Sequence, residues 1–480
     1  MTEGRSGAPV ALGTAPGRWL VTVAVLASGM AFLDATAVQV ALPAIGAEFG
    51  ASLSGLQWTV TAYTLTLAAL ILLGGSLGDR YGRRRVFLIG VVWFAAASLL
   101  CGLAQDTVQL VAARALQGIG GALLTPGSLA LIQSSFRPVD RARAIGLWTA
   151  LGGIAGLIGP FLGGVLVDAV NWRLVFLINV PLAVVIVAVA GRHVPESRDP
   201  RHHGRFDYAG AALGALALGG LTYALISAGE QPAGADVLAS AAVGVAAGAG
   251  FVVREQRATD PMLPPRLFRD RQFTGANAAT LAVYGALGGS GLFLVLQLQT
   301  VLGYDATGAG AAMLPTILVI TLLAPRFGAL AQRIGPRLPM TVGPLVVAAG
   351  TLWLSGVDGS GPYVVEVLPG SLLQGLGMAI TVAPLTATVL AAAPDAMAGI
   401  ASGVNNAVAR AAQLLAVAAL PVLVGLGGDD YTDPAAFTGG FRAALLVCAA
   451  LFAVGGTVAW ATIRNDVLDT SADRPPSVGT

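Results

Sequence analysis

The chain has 480 residues, 55% of them hydrophobic and only 11% charged, with a net charge of +2 and a mean hydropathy of +0.77; soluble globular proteins carry about 25% charged residues. This excludes a water-soluble fold, and apolar runs of about 20 residues, long enough to cross ~30 Å of hydrocarbon, recur along the whole length. The predicted fold class is an all-α polytopic membrane protein, with no nucleic-acid partner indicated.

Residues 1–18 are polar, rich in Gly and Pro, and predicted to be disordered. The apolar run from Trp19 exceeds the h-region of a signal peptide, about 7 to 15 residues, and reads as an uncleaved first span. It contains Asp34, in FLDATAVQVALP. Asp34 lies 16 residues past Arg18, about 24 Å along a helix, beyond the membrane midplane. The second span offers Trp58, near its far end and suited to an interfacial aromatic belt, and Tyr63. The loop after it, Gly75 to Arg85, holds Gly75, Asp79, Arg80, Gly82, Arg83 and Arg84. The fourth span starts near 107 and carries Arg114 at ~12 Å depth, level with Asp34 by the same helical rise, and Gln117 three residues on. The fifth, near 143, contains Gly156, Gly159, Pro160, Gly163 and Gly164, small residues that permit close backbone approach and a proline that removes a helical hydrogen bond. Ordinary small-residue packing explains the same pattern.

The sixth span closes a first unit over residues 19–195. Two Ala- and Gly-rich spans follow in 206–253, and a second unit covers 272–464, ahead of a polar tail over 465–480. In the second unit, Tyr284, Gln297 and Gln299 bring an aromatic face and amides for an apolar ligand. Asn406, Arg410 and Gln413 share one helical face, facing either a central cavity or a partner helix. With Trp58, Tyr63 and Gln117 these are the candidate cavity residues.

Fourteen spans result, and arginines collect in the loops at one end of them. The positive-inside bias puts that end and both termini in the cytoplasm. The two cysteines, Cys101 and Cys448, lie in apolar runs far apart, and the three histidines share one loop. No metal site, disulfide framework or catalytic cluster is expected, so the chain is not read as an enzyme. It has no nucleotide-binding loop, which leaves an ion gradient as the energy source and no cofactor.

GSLGDRYGRR (75–84) aligns without gaps to GALAQRIGPR (328–337), and LQGIGGALLTP (116–126) to LQGLGMAITVAP (373–384) with one extra residue. The second half thus repeats the first, with two spans inserted between.

Two six-span halves with GSLGDRYGRR after span two resemble the major facilitator superfamily, and the insertion resembles its fourteen-span drug:proton antiporter branch. LDATAVQVALP, RALQGIGGA, GLIGPFLGG, NWRLVFLINVP and LQLQTVLGYDATGAGAAMLP are similar to segments of that branch in matching spans. The resemblance implies two six-helix bundles plus two inserted central helices, a monomer in a bacterial cell membrane, and export of hydrophobic or cationic drugs or antibiotics by alternating access, in exchange for protons. It implies proton coupling at Asp34 and Arg114, although a permanent ion pair docking span one on span four fits the same residues. It implies an interdomain latch at the Gly75–Arg84 loop, and an antiporter motif marking exporters at the span-five glycines. Glu366 and Asp168, near the outer edge, are alternative coupling acids. An exporter of one endogenous metabolite, and a sensor on a transporter scaffold, are the competing functional readings.

Overall fold

The computed structural model describes residues 10–197, 207–230, 234–259, 261–394 and 397–468. Its helices are α1 Ala15–Phe49, α2 Leu53–Tyr81, α3 Arg83–Leu103, α4 Thr107–Ser135, α5 Pro138–Ala169, α6 Leu174–His193 and α7 Tyr208–Ala228. They continue as α8 Ala235–Arg257, α9 Arg271–Val301, α10 Ala306–Ile334, α11 Arg337–Leu354, α12 Tyr363–Ala391, α13 Ala398–Leu423 and α14 Pro434–Thr462. Turns interrupt α6 at Ile178 and α12 at Val367, and α9 ends in a π-helical turn over Gln297–Val301. Among the described residues 13 helices are long and apolar enough to cross a membrane; in α5 the described apolar stretch, Ile154–Ala169, is shorter. The all-helical membrane fold read from composition is the fold the chain adopts.

Helix starts follow short polar side chains. Thr14, Ser52, Asp106, Asp270, Asp305 and Asp433 each accept a backbone N–H from the first turn of α1, α2, α4, α9, α10 and α14. Acids that mark loops in the sequence are therefore N-caps, satisfying orphan amides at the positive end of a helix dipole. The expected disorder of residues 1–18 fails from Val10 onward, while 1–9 lie outside the described residues. Val10 N–H donates to the Ser135 carbonyl at 2.7 Å, Arg137 N–H to the Val10 carbonyl, and Leu12 N–H to Asp140. Backbone groups at the α4–α5 turn need partners, and this segment supplies them.

The internal repeat is visible in the packing. Within α1–α6, α2 and α3 pack on α4, and α1 on α5 and α6; eight helices on, α10 and α11 pack on α12, and α9 on α13 and α14. The two sets meet through α2 on α13 and α5 on α10, a pair of contacts that exchange under the same shift. The hairpin α7–α8 is laid over one of these seams, with α7 against both α2 and α13.

The apolar core explains how the two sets are held. Away from the arginine-rich loops one cluster spans both, joining Leu42, Ile45 and Leu56 to Phe293, Phe437 and Phe441. Toward those loops it divides: Leu20, Phe87 and Phe136 belong to a cluster confined to the first set, Phe273, Met340 and Val389 to one confined to the second. Hydrogen bonds follow the apolar contacts. Gln57 Nε2 donates to the Val417 carbonyl at 2.7 Å, Tyr431 Oη to the Ala51 carbonyl at 2.7 Å, and Gln299 Nε2 to the Val40 carbonyl at 2.9 Å. All three lie at the end where the core is continuous.

Candidate functional site

Asp34 and Arg114 meet, as the depth argument requires. Arg114 Nη1 donates to Asp34 Oδ2 at 2.5 Å, with the residues 1% and 0% exposed. The pair lies between α1 and α4 inside the first set, in a shell of neutral polar groups. Asp34 Oδ1 accepts from Gln117 Nε2 at 2.7 Å and from Asn179 Nδ2 at 3.1 Å, and Ser98 Oγ accepts from the same two amides. Arg114 has partners of its own. Its Nε donates to the Thr59 carbonyl at 3.0 Å and its Nη1 to Gln117 Oε1 at 2.6 Å, and its guanidinium lies 4.5 Å from the Tyr63 ring centre and 5.6 Å from that of Phe176.

This arrangement has a chemical consequence. Burying a pair of charges in lipid is costly, and removing one partner ordinarily strands the other. Here Arg114 keeps a carbonyl, an amide oxygen and two ring faces if Asp34 becomes neutral. Loss of the charge on Asp34 would thus not leave Arg114 a bare buried cation.

Gln117 and Tyr63, expected in a cavity wall, belong to this sealed cluster instead, since both face inward between α2, α3 and α4. Ser98, Thr59 and Asn179 were not singled out from the sequence. Asn179 follows the turn that breaks α6, and its Oδ1 is buried without a hydrogen-bond partner. An amide two residues before a proline in an apolar run, INVP, is the signal that would have found it.

The other cavity candidates scatter. Gln297 is fully buried and donates to the Val357 carbonyl at 3.0 Å, so it holds the turn after α11 and lines no cavity. Gln299 bridges the sets. Trp58 lies against Tyr223 of the inserted hairpin, 6.2 Å between ring centres. Asn406 is exposed and bonds its own helix at Ser402, while Arg410 Nη1 donates to Gln413 Oε1 at 3.4 Å. Arg410 sits within electrostatic reach of Tyr63 in one set and Tyr284 in the other. Of the candidates, Gln299 joins the two sets directly, and Arg410 lies near residues of both.

The span-five glycines make α5 a strap. Gly159 is pressed against Leu33 and Thr36, and Gly163 against Ala37, the residues of α1 around Asp34. On α10 of the other set, Gly164 meets Ala306 and Thr307, and the Pro160 carbonyl meets Gly310. Gly156 departs from expectation: nothing lies within 4 Å of where its Cβ would be. Gly163→Ala, whose methyl would stand 2.6 Å from that of Ala37, should cost ~1–3 kcal/mol of stability by overpacking. Gly156→Ala should cost nothing and gain up to about 1 kcal/mol of helix propensity. Thermal unfolding in detergent checks both.

Asp168, at the end of α5, reaches the same partner helix: its carboxylate accepts the Thr307 N–H at 2.7 Å and the Ala306 N–H at 3.3 Å. It caps α10 from the other set. Glu366 instead accepts from Gly359 N–H at 3.0 Å and from Ser360 and Gly361 within one turn.

At the arginine-rich end, side chains of the Gly75–Arg84 loop bond within the first set. Asp79 pairs with Arg83 at 2.7 Å, Arg84 Nη2 donates to the Gly191 carbonyl at 2.7 Å, and Arg80 lies over Tyr81. Gly75 faces Pro126. The amides of Arg84 and Arg85 donate to Glu196 at 3.1 Å each, and a Cβ on Gly82, at φ +109°, would strike that carboxylate. These contacts lie at the end where the apolar core is divided between the two sets. The second copy keeps the device with an amide: Gly335, at φ +83°, abuts Asn465, which accepts the Arg337 N–H at 3.3 Å.

The family model of the Major Facilitator Superfamily matches residues 24–417. The chain is 39% identical to "Multidrug resistance protein Stp" of Mycobacterium tuberculosis over 79% of its own length and 70% of the relative's. It is 34% identical to a puromycin resistance protein of Streptomyces alboniger over 97% and 94%, and 35% identical to a cephamycin export protein of Amycolatopsis lactamdurans over 85% of each. In fold it is similar to an inward-facing bacterial homologue of the lysosomal transporter Spinster (TM-score 0.67, 16% identity, 96% and 100% covered) and to a peptide transporter of the POT family (0.67, 16%, 90% and 94%).

Proposed function

Because the chain belongs to the major facilitator superfamily, and is therefore a transporter and not an enzyme, we propose that it exports hydrophobic or cationic drugs or antibiotics in exchange for protons. The relatives' names support the substrate class. The observation that carries the coupling is the sealed Asp34–Arg114 cluster, in which the arginine has other partners ready.

In this reading the arginine-rich end faces the cytoplasm, and alternating access moves α1–α6 against α9–α14. The continuous core at the far end belongs to a state closed to the outside. Substrate enters between the sets toward Arg410 and Tyr284. A proton arriving from outside neutralises Asp34, α1 settles differently on α5, and the strap of Gly159, Pro160, Gly163 and Gly164 passes that change to α10. The Gly75–Arg84 latch engages the second set when the cytoplasmic end closes. One chain holds the whole path, so a monomer suffices.

The test is extrusion from proteoliposomes under an imposed pH gradient, with a panel of unrelated dyes. Export of several supports the broad reading; no gradient-driven movement of any, with normal ligand binding, removes it.

Asp168 gives a second measurement. Asp168→Ala removes the cross-set cap on α10, worth ~1 kcal/mol for a typical cap, and so should shift the outer end toward open about fivefold. Distances between spin labels on the α5–α6 and α9–α10 turns read this; an unchanged distribution excludes Asp168 from the outer closure.

A further inference from the structure

The hairpin α7–α8 carries a buried pair of acids, which the transport cycle above does not use. Asp207, the N-cap of α7, and Glu255, in the last turn of α8, are 5% and 3% exposed. One oxygen of each is engaged. Asp207 Oδ1 accepts from the Gly210 N–H at 2.8 Å and from Arg254 Nε at 3.0 Å; Glu255 Oε2 accepts the Leu263 N–H at 2.8 Å. The remaining oxygens, Asp207 Oδ2 and Glu255 Oε1, are buried without a hydrogen-bond partner. They converge on one place, because a methyl group on Gly210 would stand 2.7 Å from the first and 2.8 Å from the second.

Two buried carboxylate oxygens aimed at one point repel if both groups are ionised, and only a positive charge between them relieves this. The one cation facing them among the described residues, Arg254, is spent on the opposite oxygen of Asp207 and is half exposed. A proton has the right size and charge, and a glycine at position 210 keeps the gap free of side chain. We propose that Asp207 and Glu255 form a one-proton binding site: Glu255 Oε1 carries the proton and donates it to Asp207 Oδ2, while Asp207 stays ionised and paired with Arg254. The proton comes from water at the arginine-rich end, and its uptake leaves the two acids and Arg254 neutral as a trio. The site ties together the start of α7, the end of α8 and the segment at Leu263 that leads into α9. Losing the proton sets like charges against each other at that junction.

Infrared difference spectroscopy on the full-length protein in proteoliposomes, stepped from acid to alkaline buffer, tests this through the C=O stretch of a protonated carboxyl. Wild type and Asp34→Asn should both have a titrating band that Glu255→Gln lacks. Asp207→Asn, which replaces the ionic acceptor of that proton by an amide, should displace the band in frequency. Glu255→Gln keeps the side-chain size and can donate its amide N–H to Asp207, so its melting temperature confirms folding. A band unchanged in both Glu255→Gln and Asp207→Asn overturns the proposal. So does its absence in wild type with a carboxylate shift on adding sodium or magnesium, since a metal cation would then occupy the gap.

Discussion

In Asp34→Asn, gradient-driven exchange in proteoliposomes falls to the passive leak, while substrate binding changes by less than about tenfold, or ~1.4 kcal/mol. The substitution keeps the shape of the side chain and leaves Arg114 its bonds to Thr59 and Gln117. It removes the carboxylate charge that faces Arg114, and with it the group proposed to carry the proton, at a position with 0% exposure. Coupled exchange at the wild-type rate in this variant would mean that the proton travels elsewhere, and Asp34 would be reduced to docking α1 on α4.

The second large effect separates stability from transport. Arg114→Met strands a buried carboxylate that keeps two amide donors but no countercharge, a loss of ~3–5 kcal/mol for a broken buried pair. Adding Asp34→Leu should recover most of that, because replacing a buried ion pair by apolar side chains is often neutral or stabilising. Thermal unfolding measures the recovery. The double variant, folded and stable, should still fail to exchange; transport in it at a substantial fraction of wild type would make the ion pair purely structural.

The depth of Asp34 and Arg114 was legible because helical rise converts sequence separation into distance with little error. Rotation about the helix axis was not. In a chain apolar on every face, periodicity no longer says which side looks inward. Gln117 therefore read as cavity wall and is buried against Asp34, and Gln297 read likewise but supports a turn. Ser98 and Asn179 stayed hidden because a single neutral polar residue in an apolar run has no partner until the helices are packed. The glycines of α5 were legible as close-contact positions, except Gly156, since glycine records the freedom to approach and not which helix approaches. The latch loop was legible as a loop, but its acid cap, Glu196, sits more than a hundred residues on.

Two seams related by the pseudo-twofold, α2 with α13 and α5 with α10, would give a symmetric molecule two equal flanks. The hairpin α7–α8 packs on the first flank, with α7 against α2 and α13. The two flanks are therefore unlike: at one the hairpin lies over the α2–α13 seam, while at the other the close approaches are those of Pro160 and Gly164 to α10.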